Sequence, residues 1–97
     1  MTIVVAQAVT ANSTTGNVQI PAGRYMFAAG GNFDGATMTF EITVGPSVDV
    51  PVTEMQYTAP KADIVWLPAC TCHVVITGAG ASTNVNGALA LVALDVM

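Results

Sequence analysis

The sequence predicts an all-β fold, a small antiparallel β-sandwich (jelly-roll-like or Ig-like) of about seven to nine strands built from two similar strand units. Three observations lead there. Val, Ile and Thr fill 31 of 97 positions, and side chains branched at Cβ suit a pleated surface better than a helix. Polar and apolar residues alternate without a break over residues 37–44, the period of a half-buried strand. The chain also resembles itself when shifted by 47 positions.

The elements follow in order. A first strand is expected over residues 2–9, where Ile3, Val4 and Val5 make an apolar start; Asn12, Ser13, Thr15 and Gly16 then break the pattern. A short strand over 17–20 stops at Pro21-Ala22-Gly23, because proline fixes φ and withholds a donor. The strand over 24–29 carries Tyr25 and Phe27 on one face and ends at Gly30-Gly31-Asn32. Asp34-Gly35 reads as the turn before the strand over 37–44, whose Met38, Phe40, Ile42 and Val44 oppose Thr37, Thr39, Glu41 and Thr43. Past Gly45-Pro46, strands over 48–50 and 52–57 flank Pro51, which cannot donate to a ladder. Strands over 63–67, 71–77 and 85–96 complete the chain, the last two joined by Gly78-Ala79-Gly80-Ala81, read as a flexible hairpin loop. No stretch reads as a helix; residues 88–94 are the one contender, and they follow a glycine.

The repeat places Ile20-Pro21-Ala22-Gly23 on Leu67-Pro68-Ala69-Cys70, Phe27 on Val74, Gly31 on Gly78, and Met38, Phe40, Ile42 and Val44 on Val85, Gly87, Leu89 and Leu91. The single domain, 1–97, then divides into an N-terminal strand or arm (1–16), a first strand unit (17–45), a connection (46–61) and a second unit (62–97). Each unit has an apolar face it cannot cover alone, so two units stacked face to face would bury both. If Val18, Ile20, Tyr25 and Phe27 point inward, so do Val65, Leu67, Cys72 and Val74, leaving Arg24, Met26, Ile64, Trp66, Thr71 and His73 outside. Large apolar groups on an outer face imply a covered surface. For Trp66 three readings stand: core through a register shift, protein interface, or platform for a sugar. From 91 to 96 both faces carry apolar residues, Leu91, Val92, Ala93, Leu94 and Val96, as in a central strand or one packed on another subunit. The expected interface residues are Ile3, Val4, Val5, Ile64, Trp66, Leu94 and Val96.

Composition excludes several classes. Two basic residues against six acidic ones, a net charge of -4, cannot neutralise the several phosphates that nucleic acid presents, and anionic membrane surfaces are disfavoured likewise. The longest apolar run, residues 88–94, is far short of the ~20 residues of a spanning helix. No positive charge precedes Arg24, which argues against a secretory signal, so the chain is expected to be made and used without export. Cys70 and Cys72 would lie side by side on one strand face, a poor disulfide geometry, and free thiols fit a reducing compartment.

No constellation predicts catalysis, a cofactor or a metal. Cys70, Cys72 and His73 resemble ligands in print, yet a strand turns His73 away from both thiols, and zinc needs three or four converging donors. The six carboxylates lack the spacing of a calcium loop; a chance pairing of Glu41 or Glu54 with Asp49 across strands could mimic an acid/base dyad, but solvated carboxylates on strand faces are far commoner. The Gly78–Ala81 run lacks the Lys and helix of a phosphate loop. The chain is therefore expected not to be an enzyme.

The layout Asn17-Val-Gln-Ile-Pro-Ala-Gly-Arg-Tyr-Met-Phe-Ala-Ala-Gly-Gly-Asn-Phe-Asp-Gly-Ala-Thr-Met-Thr-Phe-Glu-Ile-Thr-Val44, echoed by Leu67-Pro-Ala-Cys70 and Gly87-Ala-Leu-Ala-Leu91, resembles the small β-sandwich virion proteins of tailed bacteriophages. The resemblance covers residues 17–94 in pattern. It implies a capsid decoration, or cement, protein, made in the host cytoplasm and carried on the virion's capsid surface. Such a protein binds the major capsid protein lattice as a homo-oligomer, often a trimer, and braces it against packaged genome. The resemblance transfers no catalytic residue, and Cys70 departs from it where the first unit has Gly23. Two other classes stay open: a tail, fibre or head-fibre module recognising a host surface glycan through Trp66, Tyr25 or Tyr57, and a non-viral β-sandwich binding module.

Overall fold

A computed structural model describes residues 2–43 and 48–94, the side chains of Thr53 and Leu94 excepted. The described residues form nine strands and no helix: β1 (Thr2–Val9), β2 (Ser13–Thr14), β3 (Val18–Ile20), β4 (Gly23–Asn32), β5 (Thr37–Thr43), β6 (Asp49–Tyr57), β7 (Lys61–Leu67), β8 (Cys70–Thr77) and β9 (Asn84–Leu94). They pair antiparallel in two sheets. One runs β1-β9-β4-β7; the other runs β2-β8-β5-β6, with β3 continuing the β2 edge of β8. With β2 and β3 taken as one interrupted strand this is the eight-strand order of a jelly roll.

The strands expected over 48–50 and 52–57 are one strand, β6, because a register shift between Thr39 and Glu41 lets it bulge past Pro51 without losing its partner β5. The short β2, where the sequence reads as turn, forms because Ser13 and Thr14 meet Ile76 and Val75 on β8. Val44 and Val96 lie outside the described residues.

The repeat survives in the pairing, but not as two stacked sheets. Ile20 opposite Cys70 and Leu67 opposite Gly23 are the same pair after exchange of the units. Each unit crosses between sheets instead: β4 lies between β7 and β9, whereas β8 lies between β3 and β5. The Pro21-Ala22 turn and the Gly78–Ala81 run are therefore arches from one sheet to the other, and the latter is not a hairpin loop. Two matching turns tie that end together. Asp34 and Gly35 take positive φ, 44° and 85°, and Ala36 N–H donates to Phe33 O at 2.8 Å, a tight turn that suits Asp-Gly. Its counterpart over 80–83 returns Thr83 N–H to Gly80 O, and the two interlock: Ser82 N–H donates to Asp34 Oδ2, and the Thr83 hydroxyl to Phe33 O, each at 2.8 Å.

The core lies between the sheets. Tyr25, Phe27 and Leu89 of one sheet meet Met38, Phe40, Cys72 and Val74 of the other, all fully buried. Phe27 packs edge-on against Phe40, with centroids 5.2 Å apart, and lies 5.3 Å from Tyr57. Gly87, the repeat partner of Phe40, is what makes room: a Cβ there would stand 2.9 Å from Phe27 Cζ. The surface area, 5219 Å², is close to what a single chain of this size exposes when it closes its own core.

Candidate functional site

The two sheets differ in what they show on their outer faces. Alternation turns Arg24, Met26, Ala28 and Gly30 of β4 outward, and register sets Met26 beside Ala90 and Ile64, Ala28 beside Ala88 and Ala62, and Arg24 beside Ala93 and Trp66. Val4 on β1 adjoins Ala88. The result is an apolar face spanning four strands, on which Trp66 is 67% exposed, Val4 55%, Val92 50%, Ile64 46% and Met26 41%. Among the described residues, Arg24 is the one charge within it. Between β1, β9 and β4 the face dips into a hollow of about 370 Å³ lined by Val4, Gln7, Ala28, Gly30, Asn86 and Ala88. A partner laid on such a surface would be held by shape and by burial of apolar area.

Of the expected interface residues, Val4, Ile64 and Trp66 share this face, and the core reading of Trp66 is overturned. Val5 and Ile3 do not belong to it. β1 pairs with β9 of its own chain, and a bulge between Val4 and Ala6 turns both Val5 and Ala6 into the core, while Ile3 is half-buried. Removing residues 2–9 would thus strip core as well as surface. Leu94 ends β9, with its side chain outside the described residues, as is Val96. The apolar character of residues 91–94 on both faces fits β9 as an inner strand of its sheet. Sequence reasoning left Ala28, Ala62, Ala88 and Ala90 out of the surface; they signal little singly, and only cross-strand register gathers them.

The other sheet's outer face is polar, with Thr37, Thr39, Glu41 and Thr43 beside Thr71, His73, Val75 and Thr77. His73 does not stay in solvent as expected: it is 3% exposed, because β8 is flanked on one side by β5 and on the other by β2 and β3. Register sets it opposite Glu41, and its Nε2–H donates to Glu41 Oε1 at 2.9 Å. Asp49 joins them from β6, so donor atoms of Glu41, Asp49 and His73 all lie within 4.8 Å of one another. Glu41 and Asp49 thus come together although separate solvated carboxylates are the commoner expectation; Glu54 is exposed and outside this group.

The thiols are poor nucleophiles. Cys72 points into the core, away from His73, and burial, reinforced by the nearby Cys70, pushes its pKa up to about 12. Cys70, half-buried beside a hollow of about 430 Å³ with Gln19, Thr43 and Pro68, is pushed up by burial too. Burial likewise raises Tyr25, whose hydroxyl donates to Pro21 O, and Tyr57, whose hydroxyl donates to Asp63 Oδ2 at 3.0 Å. Comparison with protein-family models, with curated proteins and with solved structures finds no match to this chain.

Proposed function

We propose that the protein is a structural virion component, a capsid decoration protein that lays the outer face of its β1-β9-β4-β7 sheet on the major capsid protein lattice. The observation that carries this reading is the four-strand apolar face bearing Trp66, Ile64, Met26, Val4 and Val92. A lattice offers the same flat site many times, and a flat partner needs complementary apolar area rather than a cleft. The sparse charge of the chain and the jelly-roll order, an architecture used by viral capsid and lectin domains, agree with the same role. In this proposal the chain acts as a homo-oligomer, with a trimer favoured, each subunit presenting the face to the shell.

The test is co-sedimentation with shells of the major capsid protein encoded in the same genome, alongside the mass of the chain alone. A symmetric oligomer that decorates shells, and fails to when Trp66→Asp is introduced, supports the reading. A monomer that ignores shells overturns it. The glycan reading has one observation in its favour, the exposed Trp66 opposite Arg24; sugar binding by the isolated chain that disappears on Trp66→Ala would establish that instead.

A further inference from the structure

The polar sheet carries a second feature, independent of the apolar face. We propose that Glu41, Asp49 and His73 form a site for a first-row divalent cation such as zinc. Three neighbouring strands, β5, β6 and β8, each supply one donor, and the donor atoms already lie within 4.8 Å of one another. Donors sharing a tetrahedral zinc stand about 3.3 Å apart. The 2.9 Å between His73 Nε2 and Glu41 Oε1 is thus near the bound geometry, and closing the widest separation asks at most about 1.5 Å of the exposed Asp49 side chain.

A cluster of carboxylates alone would mean little; the histidine adds the independent observation. His73 is 3% exposed, yet among the described residues nothing partners its Nδ1. A buried imidazole with one unmet nitrogen, aimed through the other at two carboxylates, is a polar group whose burial is left unexplained by the protein's own bonds. For a cation to bind, the ring proton moves from Nε2 to Nδ1, which is unpartnered among the described residues. That frees the Nε2 lone pair for a cation, and the Nε2–H···Oε1 bond becomes two ligand bonds. Asp49 is steadied by the Thr43 hydroxyl, which donates to its Oδ1 at 2.7 Å, the kind of support that orients metal ligands. An imidazole with two carboxylates suits zinc and its neighbours over magnesium or calcium, which prefer all-oxygen sets. Three protein ligands leave a position for water, and the ion would staple the edge strand β6 to β5 and β8.

The experiment is calorimetric titration of the full chain with zinc chloride, with cobalt chloride for its visible spectrum and magnesium chloride as control, alongside thermal melting. The expected result is one zinc per chain and a Tm raised by about 10 to 20 °C at a hundredfold excess over Kd, with no shift in magnesium. Asp49→Asn, at an exposed position, should fold normally and weaken zinc binding at least tenfold. Cys70→Ser should leave it unchanged. Absence of zinc binding, an affinity untouched by Asp49→Asn, or binding lost with Cys70→Ser would each overturn the site. Shell decoration does not enter any of these readouts, so this result and that of the surface reading stand apart.

Discussion

The two sheets share one core yet turn opposite chemistry outward. On the β1-β9-β4-β7 sheet, Val4, Met26, Ile64, Trp66 and Val92 lie in the open among alanines. On the other sheet the corresponding positions of β5 and β8 are mostly threonines, and His73 donates to Glu41 across strands with Asp49 close by. A face that water covers is stable with hydroxyls and paired charges. An apolar face of four strands open to water is the mark of a surface that a partner would cover. On the proposed reading the partner therefore sits on one side of a molecule whose two units are related by an internal repeat.

The shared core should be least tolerant of change. Phe27→Ala removes the ring that touches both Phe40 and Tyr57, and should cost about 3 to 5 kcal/mol, read as a lower urea midpoint and loss of both faces together. Next comes the apolar face itself. Ile64→Asp with Trp66→Asp should weaken shell binding at least a hundredfold while the melting curve stays in place. Thr39→Asp with Thr71→Asp on the polar face should change it less than about threefold. Equal losses from the two pairs would erase the comparison. Gly87→Ala, pressing a methyl on Phe27 and on Met38 Sδ at 3.3 Å, should destabilise by about 1 to 3 kcal/mol, measured by the same urea titration.

The smallest effect concerns pH. The folded-state pKa of Cys72, about 12, lies above the ordinary thiol value of 9.0, so the folded state favours the protonated form. Its contribution to stability is whole below pH 9 and is lost as pH rises toward 12. At pH 8, alkylation of Cys72 should be roughly a thousandfold slower than that of a free thiol, with Cys70 faster than Cys72. Mass-resolved labelling distinguishes the two.

Much of this architecture was legible in sequence, and the failures have common causes. Alternation over residues 37–44 and the 47-residue shift give the inward set Tyr25, Phe27, Cys72 and Val74 and the outward set Ile64 and Trp66, all as found. Periodicity is local, whereas pairing is not. Nothing in the period says that β4 would take its neighbours from the other unit, so stacked units were expected where interlocked ones occur. The bulge that turns Val5 inward adds a residue that strict alternation cannot anticipate. His73 followed its face correctly, but its burial comes from strands 32 and more residues away, and so does its meeting with Glu41.

The central claim is that the four-strand apolar face is covered in the assembled state, and the single tryptophan reports on it directly. Replacing Trp66 by 5-hydroxytryptophan allows its emission to be excited apart from any tryptophan of a shell, and iodide quenching can then be followed as shells are added. Full quenching in the free chain and protection with blue-shifted emission on decorated shells is the result expected here. A chain that binds shells while residue 66 stays as open to iodide as before would contradict it.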